Sequence, residues 1–126
     1  MNALNMAKTA YATNKAPIRT PRGTEYEAFI RVTQRLKAAA DKGDMGFADL
    51  AQALHLNRRL WTILASDVAD KDNTLPQELR ARIFYLAEFT TQHSRKVLKG
   101  EDTVLPLLEI NMAVMRGLRS TVEAAV

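Results

Sequence analysis

Apolar positions along this chain recur at the spacing of α-helices, and few glycines or prolines interrupt them. After Thr24, apolar side chains return every three or four residues, which marks one face of a helix. The strict alternation typical of a half-buried strand is not found. The pattern predicts an all-α fold, a single compact bundle of about five helices over residues 24–126, preceded by a flexible arm over residues 1–23.

Capping residues mark the ends of the first three predicted helices. Thr24 begins the first helix as a cap, and Gly43 ends it in the position that favours a left-handed residue. Asp44 and Asn57 are both good N-caps. The segment that follows Gly43 is therefore predicted to form two short helices, the second of which begins at Asn57.

Proline and glycine mark the fourth and fifth predicted helices. Pro76 suits the first position of helix four, and Gly100 ends that helix. The fifth helix is expected to begin near Asp102 or Thr103 and to carry Pro106 in its first turn. Its predicted inner face consists of Leu105, Leu108, Met112, Met115 and Leu118.

The net charge of +4 belongs to the arm. Residues 1–24 contain no acidic side chain, while 14 basic and 14 acidic side chains balance in the rest of the chain. The prolines at positions 17 and 21 favour extended backbone. The arm is therefore predicted to be basic and flexible, and the alternative is that its apolar side chains dock on the bundle or on a partner. The basic residues are Lys8, Lys15, Arg19 and Arg22, and the apolar ones are Leu4, Tyr11 and Ile18.

Composition excludes several classes of chemistry. The chain has no cysteine and two histidines, His55 and His93, so thiolate sites are excluded and a zinc site is not expected. Neither a phosphate-binding glycine loop nor a nucleophile elbow is present. No apolar run is close to the length of about 20 residues that a membrane-spanning helix needs. We expect a binding protein without cofactor, metal or membrane insertion, and not an enzyme.

Residues 49–64 have the pattern of a helix-turn-helix unit. Arg58 and Arg59 would begin its reading helix, where arginine can contact guanine. Against this interpretation, His55 stands where the turn usually has glycine, and Asp67 would face the nucleic acid. Binding to nucleic acid is the less favoured alternative.

Several short strings, taken together and in this order, resemble the FlaF family of flagellar biosynthesis regulators from alphaproteobacteria. The resemblance covers nearly the whole chain. It rests on Ala10-Tyr11, on residues 19–27 (RTPRGTEYE), on residues 57–61 (NRRLW), on residues 75–81 (LPQELRA), and on residues 108–111 (LEIN) with 115–118 (MRGL).

The resemblance implies a small cytoplasmic helical protein that regulates flagellin synthesis and acts as a flagellin export chaperone. Flagellin is the partner that it implies, and the flagellin translation regulator FlbT is a possible second one.

The fifth predicted helix provides the candidate surface for such a partner. An amphipathic helix of flagellin would lie in a groove, with apolar anchors at helical spacing and charged residues at the rim. Methionine suits such a groove, although it also fills ordinary cores. Trp61 is expected in the core or at the edge of the groove. The predicted partner-binding residues are Trp61, Arg80, Glu109, Met112, Met115, Arg116 and Arg119.

Overall fold

The computed structural model describes the backbone of residues 21–125 and the side chains of residues 26–117. Most of the predicted arm, residues 1–20, lies outside the described residues. The described chain is all-α, as predicted, and the first helix begins at Pro21 rather than at Thr24. Its elements are α1 (Pro21–Asp41), a short 3-10 helix (Gly43–Gly46), α2 (Phe47–Ala69), α3 (Gln77–Leu98) and α4 (Leu105–Ala125).

The four helices form an antiparallel bundle because short connections reverse the chain after each helix. Helix α2 packs against α1 and α3, and α4 packs mainly against α1. Among the described residues, the interface between α3 and α4 is the smallest. One end of the bundle, which we call the two-loop end, holds the connections 42–46 and 99–104, and the opposite end holds residues 70–76.

Two glycines end helices as predicted. Gly43 has φ +62° and Gly100 has φ +75°, which is the left-handed region that glycine adopts without steric cost. At Gly100, the backbone N–H groups of Gly100 and Glu101 donate to the carbonyls of Val97 and Lys96. This is the Schellman arrangement, which satisfies carbonyl groups at the end of α3.

The prediction of two short helices between Asp44 and Val68 is wrong. A single helix, α2, runs from Phe47 to Ala69 without interruption. Asn57 was predicted to cap a new helix, but its side chain is fully buried in the middle of α2. The described residues therefore form four α-helices where the pattern predicts about five.

The core consists of two apolar clusters, one toward each end of the bundle. Aromatic and aliphatic side chains form the first, and aliphatic side chains form the second, which lies toward the two-loop end. The buried members of the first cluster are Phe29, Leu60, Trp61, Leu64 and Ala87. Those of the second are Leu36, Ala53, Leu54, Val97, Val104 and Leu107.

The predicted inner face of the last helix is wrong at Leu105 and Met112, whereas Leu108 and Met115 pack partly against the clusters. The side chain of Leu118 lies outside the described residues. Val104, Leu107 and Asn111 are the buried positions along α4 and its start, while Leu105 and Met112 are 56% and 42% exposed. The true inner face is therefore turned by one residue, which is about 100° around a helix. The cause is Asn111, a polar residue that an apolar pattern assigns to the outer face.

Candidate functional site

A buried polar layer crosses the middle of the bundle between the two apolar clusters. Each helix contributes one member: Thr33 from α1, Asn57 from α2, Thr90 from α3 and Asn111 from α4. Asn111 is its centre because its Nδ2 donates to Thr33 Oγ1 at 3.1 Å and to Asn57 Oδ1 at 2.8 Å. The layer therefore links α1, α2 and α4 through side chains alone.

Two polar atoms of this layer have no partner among the described residues. They are Asn57 Nδ2 and Thr90 Oγ1, and both residues are fully buried. Ser94, one turn along α3, donates instead to the carbonyl of Thr90. Burial of an unpaired polar group costs about 1–3 kcal/mol. The layer is thus partly satisfied, and it holds the helices in one register at some cost in stability.

Trp61 lies in the core, where it is 1% exposed. Its ring packs edge-on against Phe29, with 5.6 Å between the ring centroids. Its indole Nε1 donates to Asn111 Oδ1 at 2.9 Å, which provides the polar neighbour that a buried indole requires. Trp61 is therefore held in the interior by its packing on Phe29 and its hydrogen bond to Asn111.

Four apolar residues form a continuous row on α4, which we call the α4 stripe. Met112 and Leu105 are exposed, while Leu108 and Met115 are half-buried against the two clusters. Glu109 and Arg116 are exposed beside the stripe. The side chain of Arg119 lies outside the described residues. The stripe consists of Leu105, Leu108, Met112 and Met115.

Arg80 lies far from Glu109 along the bundle axis. Arg80 belongs to the first turns of α3 and Glu109 to the first turns of α4, and these helices are antiparallel. These two side chains therefore do not form an ion pair. Arg80 is half-buried, and its Nε has no partner among the described residues.

Arg58 and Arg59 lie in the middle of α2, where no turn precedes them. Arg58 is half-buried and Arg59 is exposed. The helix-turn-helix that was the less favoured alternative over residues 49–64 is therefore absent, since both of its helices belong to one continuous helix.

His93 fastens the connection between α3 and α4. Its buried ring stacks on Phe89, and its Nε2 donates to the carbonyl of Thr103 at 2.8 Å. Because a carbonyl only accepts, the proton of the neutral ring belongs on Nε2. The carboxylate of Asp102 lies 3.8 Å from the same nitrogen. Because the ring of His93 is buried, stacked and hydrogen-bonded, His93 has a structural role.

One carboxyl group has a displaced pKa. Lys42 donates to Asp49 across the 3-10 helix, and this hydrogen bond and the lysine charge hold the pKa of Asp49 below its ordinary value. Both side chains are more than half exposed. The pair therefore orients the start of α2 with little effect on stability.

Asn111 and the polar layer are the features that sequence analysis missed. The available signal was the position of Thr33 and Thr90, which occupy inward positions near the middle of their helices. Within residues 26–117, no group of acidic or histidine side chains is arranged to hold a metal ion. The described helices also include none that is long and apolar enough to cross a membrane.

Comparison with known proteins agrees with the resemblance in the sequence. No curated protein and no solved structure matches the chain significantly. A family model described as flagellar protein FlaF matches residues 7–118, which is most of the chain. The chain therefore belongs to the FlaF family of flagellar proteins.

Proposed function

We propose that this protein is a cytoplasmic flagellin-binding export chaperone that also regulates flagellin synthesis. The single observation that carries the proposal is the exposure of Met112, which is 42% accessible in the middle of the α4 stripe. Helix α4 fills the core with Val104, Leu107 and Asn111. Leu105 and Met112 are therefore available to a partner, while Leu108 and Met115 of the same stripe pack partly against the core.

The spacing of the stripe suits an amphipathic helix as partner. Successive stripe residues are three, four and three positions apart, the spacing by which two helices pack along a seam. Glu109 and Arg116 stand beside Met112 and fix the register of the bound helix through opposite charges. Apolar anchors supply most of the affinity in such a groove.

The remaining predicted residues act around this seam. Arg80 and Arg119 belong to the same end of the bundle, because α3 begins where α4 ends. We assign them to the charged rim at the far end of the bound helix. Trp61 contributes by holding Asn111, and thereby the helix that carries Met112.

A chaperone of this kind would cover a helical terminal segment of flagellin, whose exposed apolar stripes otherwise drive polymerisation. The chaperone would regulate flagellin synthesis if its flagellin-bound and flagellin-free forms bind FlbT differently. The chain needs no catalytic group for either role.

Co-expression with flagellin, followed by size-exclusion chromatography with light scattering, tests the proposal. The wild-type chain is expected to elute as a complex, and Met112→Asp is expected to abolish it. Met45→Asp is the matched control, since Met45 is 95% exposed away from α4. Circular dichroism of each variant shows whether lost binding comes from a changed surface or from unfolding. This control matters most for Met115→Asp, because Met115 is half-buried against the core.

Charge variants and salt refine the test. The pair Glu109→Ala and Arg116→Ala is expected to weaken binding by less than Met112→Asp, because exposed charges contribute about 0–1 kcal/mol each. If Met112→Asp stays folded and binds flagellin like the wild type, the proposed surface is wrong. A steep loss of binding with added salt would indicate contacts dominated by charge instead of an apolar groove.

A further inference from the structure

A second candidate surface lies at the two-loop end, away from the middle of α4. An open cleft of about 610 Å³ separates the end of α1, the start of α2 and the connection between α3 and α4. Its floor is apolar and includes Leu50, Val97 and Val104. Phe47 forms part of the wall and is 56% exposed, although it is a large aromatic side chain.

Acidic side chains predominate at the rim of the cleft. Asp44 and Asp102 line it and are exposed, while Lys99 is the basic residue among the lining side chains. Glu101 is exposed beside them in the same connection. The cleft thus combines an apolar floor with a negative rim, and it suits a basic segment that carries an aromatic or aliphatic anchor.

The N-terminal part of the same chain has this chemistry. Residues 1–20 contain Lys8, Lys15 and Arg19, no acidic side chain, and the aromatic residue Tyr11. We infer that this segment docks into the cleft of its own chain, with Tyr11 on the apolar floor and Lys8 at the acidic rim.

The length of the chain permits this contact. Helix α1 has 21 residues and is therefore about 31 Å long, and it begins at the end opposite the cleft. Tyr11 precedes Pro21 by ten residues, which span about 33 Å when extended. The prolines at positions 17 and 21 favour extended backbone between them. The segment before Pro21 is therefore long enough, if extended back along the bundle, for Tyr11 to reach the level of the cleft.

Limited trypsin cleavage of the full-length chain tests this inference. Cleavage after Lys8 and Lys15 is compared with cleavage of a separate peptide of residues 1–20. Docking for most of the time predicts cleavage about tenfold slower in the full chain, because the rate follows the population of the undocked form. Phe47→Ser, Asp44→Lys and Tyr11→Ser are each expected to raise the rate to that of the corresponding peptide.

Phe84→Ser is the matched control, since Phe84 is 51% exposed on α3 outside the cleft. This variant is expected to keep the slow rate of trypsin cleavage. Circular dichroism of each variant tests whether it is folded. Cleavage of the wild-type chain at the peptide rate, or equal effects of Phe47→Ser and Phe84→Ser, overturns the inference. Protection that grows with protein concentration also overturns it, in favour of docking on a second copy. The experiment contains no flagellin, so its outcome is independent of the function proposed above.

Discussion

Trp61 on α2 and Asn111 on α4 are joined by a hydrogen bond of 2.9 Å across the bundle, between helices whose backbones do not come close to each other. The amide of Asn111 also donates to Thr33 and Asn57. One side chain therefore satisfies an indole, a hydroxyl and a second amide in the interior. Its removal leaves several buried polar groups without partners at once.

Asn111→Ala is expected to lower the free energy of unfolding by about 3 kcal/mol, which combines unpaired polar groups with a small cavity. Met112→Ala, at the next position of the same helix, is expected to change it by less than about 1 kcal/mol because Met112 is partly exposed. Urea unfolding followed by circular dichroism measures both. Equal effects of the two substitutions would contradict the central role of Asn111.

Two substitutions at Trp61 separate its packing from its hydrogen bond. Trp61→Ala is expected to cost about 3–5 kcal/mol, as for other large buried aromatic residues. Trp61→Phe keeps an aromatic ring beside Phe29 and removes the indole donor, so we expect a loss of about 1–2 kcal/mol. The same urea titrations report both values, and a loss below about 1 kcal/mol for Trp61→Ala would contradict its place in the core.

Gly46 and Gly43 are expected to respond to alanine for different reasons. A Cβ atom at Gly46 would lie 2.6 Å from the backbone carbonyl oxygen of Ala39, so the backbone must shift. We expect Gly46→Ala to cost about 1–3 kcal/mol. Gly43 has open space around it but a positive φ, so Gly43→Ala is expected to cost about 1 kcal/mol. Thermal unfolding ranks the two, and the reverse order would contradict the close approach at Gly46.

The pair of Lys42 and Asp49 has a defined dependence on pH. Lys42 lowers the pKa of Asp49 in the folded chain below its ordinary value of 3.8. Its small contribution to stability is therefore present above the unfolded pKa and is lost as the pH falls through the folded pKa. A carbon-detected NMR titration of Asp49 is expected to show this lowered pKa, and Lys42→Ala is expected to return it toward 3.8. An unchanged titration in Lys42→Ala would contradict the pairing.

The all-α class was predictable because local signals agree along most of the chain. Gly43 and Gly100 end their helices where the pattern predicts. These features depend on neighbours in sequence, which a pattern of apolar and polar residues records.

The buried polar residues were not predictable in the same way. Asparagine is a common cap, which favours a helix start at Asn57, and a polar residue usually lies on an outer face, as predicted for Asn111. Both are nevertheless fully buried, because their side chains form a hydrogen bond between two helices. The pattern within one helix does not show a hydrogen-bond partner that lies 54 residues away in the sequence. For this reason, the break in α2 and the inner face of α4 were both predicted wrongly, and the exposure of Met112 was recognised only from the structure.

The polar layer also determines when α4 joins the folding chain. Contacts of α1 with α2 and of α2 with α3 connect neighbours in sequence, whereas Asn111 meets Thr33 across 78 residues. Closing so long a loop costs entropy before its contacts form, so we expect α4 to dock after the transition state. Asn111→Ala should then mainly accelerate unfolding and leave the refolding rate nearly unchanged, which stopped-flow kinetics in urea can measure. A slower refolding rate as the main effect would instead place α4 in the folding nucleus.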